Sequence, residues 1–214
     1  TPTIPNGNYQ AAGGLVVIGA GDWKEEGDGE WYPEGAVMPS LYVTEIPVSG
    51  EPVVRPVIDL PGDLFAVSEL DADGFLAFTR NDDSSGIKVS ACDGYDAFEI
   101  GGLNTESGFA AAAGGRRLFL AVKGGVERHR LNDKGVFVSE APLELGWTPD
   151  SLRWTDGLLL GGTWNKLFAA EANAADASIW RFAGWGLGFD QIRVAKDGDL
   201  LVPFGEYGAE RLER

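Results

Sequence analysis

Two stretches of this sequence open alike. Trp147-Thr148-Pro149-Asp150-Ser151-Leu152-Arg153-Trp154 and Trp185-Gly186-Leu187-Gly188-Phe189-Asp190-Gln191-Ile192-Arg193 each set a Trp ahead of an Asp, with an Arg following the Asp. Asp150 and Asp190 are the candidate chemical groups. Two carboxylates directed into one cleft hold a hard cation such as Ca²⁺, which takes six to eight oxygens. They also serve as an acid/base pair when their environments drive their pKa values apart. The plainer alternative is that each Asp caps the turn before its strand by accepting backbone N–H groups. Trp147, Trp185, Arg153 and Arg193 stand beside them as candidate ligand contacts. An exposed Trp stacks on a sugar or fills an apolar pocket, and a covered one packs between sheets.

Other chemistry is sparse. Cys92 is the one cysteine and His129 the one histidine. A single cysteine excludes an intrachain disulfide and a cysteine metal cluster. A single histidine excludes multi-histidine metal sites and leaves few general bases. His129 falls in a strand-like run with Arg128 and Arg130 on the opposite face, and reads as a structural or surface histidine. Asp73, Asp156 and Asp197 look like fragments of calcium loops, but the spacing of an EF-hand does not follow any of them. They read as hairpin turns.

The chain has 214 residues, with 17 Lys+Arg against 33 Asp+Glu and a net charge of −16. That length supports one domain with a real core, or two small ones. An apolar content of 44% and a charged content of 23% are globular values. No apolar run approaches 18 residues, so a membrane span is not expected. The acidic charge would be repelled by phosphate backbones, so nucleic acid is not an expected partner. A small-molecule ligand or substrate is.

The elements that must position these residues recur with a fixed period. Tight-turn signals at Asp73-Gly74, Gly114-Gly115, Asp156-Gly157 and Asp197-Gly198 place their second glycines 41, 42 and 41 residues apart. Such dipeptides between apolar runs mark hairpins. An earlier copy begins at Gly13-Gly14, 60 residues before Gly74, and the polar insertion 22–39 accounts for the excess. That insertion carries Trp31-Tyr32-Pro33 and reads as a loop suited to cover one face. Third and fourth strands follow each turn, as at Val126 to Leu131 and Val136 to Leu145. Phe168 to Ala177 is the best helix candidate, and reads equally as a loop. Four strands per period of roughly 40 predict an all-β fold, a β-propeller of four-stranded blades over residues 1–214. Five repeats are visible, and the last lacks its outer strand. Thr1 to Pro5 could supply that strand; otherwise the chain is a six-bladed relative with a blade missing.

The stretch Gly146 to Leu159 resembles the senescence-marker-protein/gluconolactonase superfamily, in its paraoxonase/arylesterase-like branch, where the pattern is approximately G-F-x-P-D-N-L-R-W-x-x-D-G-x-L-L. Ile4 to Val17 is similar to the P-H-G-L blade start, Ser107 to Leu120 to the P-N-G-I blade start, and Gln191 to Arg214 to the closing blade. The resemblance implies a periplasmic or secreted six-bladed propeller that hydrolyses esters or lactones around an axial calcium ion. Carried over by residue, Asp150 matches a ligand aspartate. Ser151 and Ser107 stand where ligand asparagines are expected, and Asn6 replaces a histidine that some members use as a base. The implied calcium set is then Asp150, Ser151 and Asn6, with Ser107 as a ligand contact. Hydroxyls are weak calcium ligands beside amides and carboxylates. Two functions follow: a diverged calcium-dependent ester or lactone hydrolase acting at the axial channel, or a non-catalytic propeller binding a small molecule or a protein there.

Overall fold

The computed structural model of the chain describes residues 9–12, 15–20, 23–25, 31–33, 40–47, 49–68, 74–80, 86–105, 110–182, 192–204 and 208–214. All regular structure among them is β. The first sheet opens with β1 (Tyr9–Ala12) and β2 (Leu15–Ala20). The segment after β2 contains a separate ladder, β3 (Trp23–Glu25) with β4 (Trp31–Pro33), so the expected loop insertion is partly ordered as a hairpin. The chain then returns to β2 as β5 (Ser40–Glu45). The span from Val53 to Leu60, apolar at Val53, Val54, Val57, Ile58 and Leu60, reads as a single fourth strand. Two short ones pair with β5 instead, β6 (Val53–Val54) and β7 (Ile58–Asp59). Pro56 falls between them, and proline has no N–H to continue a ladder.

Three complete sheets follow, each an antiparallel meander of four strands. The second is β8 (Asp63–Val67), β9 (Phe75–Arg80), β10 (Gly86–Cys92) and β11 (Ala97–Asn104). The third is β12 (Ala111–Gly114), β13 (Arg117–Val122), β14 (Gly125–Leu131) and β15 (Phe137–Glu144). The fourth is β16 (Ser151–Thr155), β17 (Leu158–Thr163), β18 (Lys166–Glu171) and β19 (Ser178–Arg181). The last has three strands, β20 (Arg193–Val194), β21 (Leu200–Pro203) and β22 (Ala209–Leu212). Residues 1–5, the expected source of a closing strand, lie outside the described residues, as does Asp73.

The turns explain the recurrence. Thr155 pairs with Leu158 across Asp156-Gly157, whose φ values of +49° and +78° are the signature of a type I′ hairpin. Between β12 and β13 the turn residues are Gly115-Arg116, one position later than the dipeptide suggested, because Gly114 already pairs with Arg117. The helix candidate Phe168 to Ala177 is a strand as far as Glu171 and then a turn, closed by Ala174 N–H on Glu171 C=O at 3.1 Å. Helix propensity is a weak prior, and here β18 gains ladders on both sides, to β17 and β19.

By contacts the chain divides into two compact units, residues 1–106 with 131–137, and residues 107–130 with 138–214. In the first unit, Leu41, Val43, Ile58, Val67 and Phe75 form a core between the first two sheets. A parallel bridge links Gly102 to Val136, and backbone meets backbone there: a Cβ at Gly101 or Gly135 would strike the other segment's carbonyl. In the second unit, the fourth sheet is buried on both faces. Leu159, Phe168 and Ala170 meet Phe119 and Val126 of the third sheet. Leu158, Leu160 and Leu167 meet Ile192, Leu200 and Val202 of the last. Alternate side chains along β17 therefore enter different cores, which is why Leu158-Leu159-Leu160 is an unbroken apolar run. Among the described residues no helix is long and apolar enough to cross a membrane.

Candidate functional site

The described part of the expected site is the head of β16. Leu145 and Gly146 both donate to the Gly124 carbonyl at 2.9 Å, and the chain then passes the buried Pro149. Asp150 N–H donates to the Gly162 carbonyl at 3.0 Å, which fixes its backbone at the start of the sheet. Its side chain is exposed, and the Ser151 hydroxyl donates to its Oδ1 at 3.2 Å. Asp150 and Ser151 thus bring together three side-chain oxygens, two of the carboxylate and one of the hydroxyl. Calcium takes six to eight. Among the described residues no three His, Cys, Asp or Glu side chains gather in a metal-holding group. This pair alone does not fit calcium, and no step is derived through that ion. Asn6, Ser107, Trp185 and Asp190 lie outside the described residues.

Of the neighbouring candidates, Trp147 and Arg153 are engaged with other strands, and Arg193 bonds its own chain neighbour. Trp147 is half-buried, set edge-on to Phe168 with centroids 6.0 Å apart, and the Lys166 ammonium lies 5.2 Å over its ring. Arg153 points to the last sheet, where its guanidinium donates to the Ile192 carbonyl. Arg193, exposed, donates to the same carbonyl at 3.1 Å. The two arginines expected to contact ligand therefore converge on one buried backbone acceptor. Trp154 stacks on Phe119 at 5.2 Å and 12°, as expected of a tryptophan between sheets. Trp164 does not pack so: it sits in the turn between β17 and β18 and is 59% exposed.

The sequence reading missed the polar wiring of the third sheet. Arg128 is 4% exposed, yet its guanidinium is held by four backbone carbonyls. Nε donates to Ala141 C=O at 2.6 Å, and Nη1 to Ala172 and Ala174 C=O at 3.1 and 2.8 Å. Nη2 reaches Pro142 C=O at 3.4 Å. Burial pulls this arginine below its ordinary pKa; Glu140 opposes the shift and Arg117 adds to it. Arg117 donates to Glu140 at 3.1 Å and to Asn173 at 2.9 Å, tying the same connection after β18. The available signal was the run Glu127-Arg128-His129-Arg130 at a position where β18 carries Leu167 to Ala170. Four charged or polar residues in a strand slot that is otherwise apolar imply internal partners.

In the first unit, Arg55 makes a similar but more open contact. It pairs with Glu45 at 3.2 Å and lies 4.8 Å over the Tyr95 ring. Asp93 accepts from the backbone N–H groups of Tyr95 and Asp96 at 2.8 and 2.9 Å. The Asp96 amide, followed by that of Tyr95, holds its carboxyl below the ordinary aspartate value. Burial pushes the Cys92 thiol up to about 12. No protein-family model matches this chain, and no curated protein matches it.

Proposed function

We propose that the chain is a five-bladed β-propeller, an exported relative of the senescence-marker-protein/gluconolactonase group, that binds a small molecule at the end marked by Asp150. The observation that supports this best is the carboxylate of Asp150: exposed, pinned through its backbone to Gly162, and carrying one oxygen that no side chain among the described residues occupies. A fixed anionic contact at the head of the first strand of a blade suits a hydroxyl-bearing or cationic ligand. Calcium-dependent hydrolysis is not part of this reading, because the three side-chain oxygens of Asp150 and Ser151 fall short of the six to eight that calcium takes. The test is metal analysis with a thermal-shift screen of sugars, aryl acetates and γ- and δ-lactones. The reading expects a ligand that raises Tm in the parent chain and not in Asp150→Ala, with no stoichiometric calcium. Stoichiometric calcium with EDTA-sensitive lactone or aryl-ester hydrolysis would restore the family mechanism and overturn it.

A protein partner is the second reading. The outer strands expose large apolar side chains, Val54 at 69% and Phe98 at 63%. Single exposed apolar residues are ordinary, so this ranks below the first.

A further inference from the structure

The third sheet brings together the one histidine, a carboxylate and a hydroxyl. Strand β14 sets Glu127 and His129 two residues apart, on one face. Strand β15 runs alongside and brings Ser139 to the same ring. His129 Nε2 lies 3.4 Å from Glu127 Oε2, and Ser139 Oγ lies 3.4 Å from His129 Nδ1. A carboxylate accepts from Nε2–H, so the neutral tautomer that fits both contacts carries its proton on Nε2 and turns the Nδ1 lone pair to the serine hydroxyl. The chain of roles is therefore hydroxyl to base to orienting carboxylate. The two ring nitrogens are exchanged relative to the familiar serine triad, and such sites are recognised by geometry and role. Distances of 3.4 Å are long for hydrogen bonds, as in many ligand-free sites that tighten on substrate. Burial is graded in the useful direction: the histidine is 7% exposed, while Ser139 is open to solvent.

We propose that Ser139, His129 and Glu127 form a metal-independent site that hydrolyses small aryl esters through an acyl-serine. Ser139 Oγ attacks the ester carbonyl carbon while its proton passes to His129 Nδ1. The tetrahedral intermediate collapses, the bond to the aryloxy oxygen breaks, and the phenol leaves with that proton. Water then gives a proton to Nδ1 as its oxygen adds to the acyl carbon. Collapse breaks the bond to Ser139, returns the proton to Oγ and releases the acid. Glu127 stabilises the imidazolium in both halves. β15 is the outer strand of its sheet, so alternate backbone N–H groups along it face away from β14. Backbone N–H groups of this kind are the donors the mechanism calls on for the oxyanion. An exposed serine suits a small acyl group with a good leaving group. This site is separate from Asp150 and goes beyond the binding function proposed above.

The test treats the intact chain, in EDTA, with a fluorophosphonate probe, maps the adduct by mass spectrometry, and follows p-nitrophenyl acetate hydrolysis in parallel. The expected result is one adduct, on Ser139. Labelling and turnover are lost in Ser139→Ala, fall about 100-fold in His129→Gln and about tenfold in Glu127→Gln. Ser139 is exposed, so Ser139→Ala retains the fold and keeps the test decisive if the His129 variant unfolds. An adduct at another serine, no adduct, or equal labelling of Ser139 in a folded His129→Gln variant would overturn the proposal. The position of the adduct, on β15 and not at the head of β16, makes these outcomes independent of the Asp150 site.

Discussion

The third and fourth sheets share a meander of four strands and solve the same packing problem with different chemistry. The fourth fills both its faces with Leu158, Leu159, Leu160 and Phe168, all buried. The third buries Phe119 and Leu120 but also Arg128 and His129. In the fourth sheet the interior is held by apolar area and shape. In the third it is held partly by a guanidinium that satisfies carbonyls of β15 and of the connection after β18. Apolar packing is non-directional and tolerates volume-conserving exchange. A buried cation is directional, and removing it strands every acceptor it served. The four-stranded meander thus leaves room for polar chemistry in a strand slot, provided each buried group finds its partners.

The largest expected effect is in the apolar sheet. Phe168→Ala should destabilise by about 4 kcal/mol, the usual loss for a fully buried aromatic, read by urea denaturation. Phe168→Leu should recover more than half of that. Arg128→Met comes next, with a loss of about 3 kcal/mol from the unpaired carbonyls. If Arg128→Met were neutral, the contrast between the sheets would vanish, because Arg128 would then be acting as an apolar spacer. Native Cys92 should resist a thiol reagent at pH 8 and react at the rate of global opening, since its thiol is pushed up to about 12. Fast native alkylation would show that the core of the first unit opens locally.

Acid sharpens the comparison from the surface side. Asp93 has a depressed folded pKa, because backbone amides bond its ionised form. Its contribution to stability is complete above the ordinary aspartate value and declines as pH falls below it, through the folded value. Asp93→Asn should flatten that part of the acid denaturation curve, whereas Arg128 variants should leave its shape unchanged, since an arginine does not titrate there. The smallest effect belongs to Arg211→Ala. Its pair with Asp197 is exposed on both sides and its pair with Asp199 on the arginine side, so the melting temperature should shift least of all these variants.

Much of the fold was legible because its signals are local. Asp156-Gly157 needs positive φ at both positions, and that demand is written in the dipeptide. Leu158 to Leu160 announces a strand covered on both faces, and the spacing of the turn glycines announces the repeat. The split of the fourth strand at Pro56 was also visible in principle, since proline lacks the donor. The Ala-rich run was misleading because composition favours helix weakly, and neighbouring ladders outweigh it.

The site residues were less legible. Spacing singled out Asp150, Trp147 and Arg153, but not whether each faces solvent or a neighbouring sheet. Only the tertiary structure turned Arg153 toward the Ile192 carbonyl, set Trp147 against Phe168, and left Asp150 exposed. The same holds for the third sheet. The sequence by itself determined that Glu127 and His129 share a face of one strand, because strand side chains alternate with period two. Ser139 lies ten residues from His129, on another strand, and the register between β14 and β15 decided that it meets the ring. Register is a property of the paired strands and of the turn that joins them. Alternation is a property of one chain, so it can be read from one chain. Partners across a ladder or between sheets are chosen by packing, and only the folded protein holds that information.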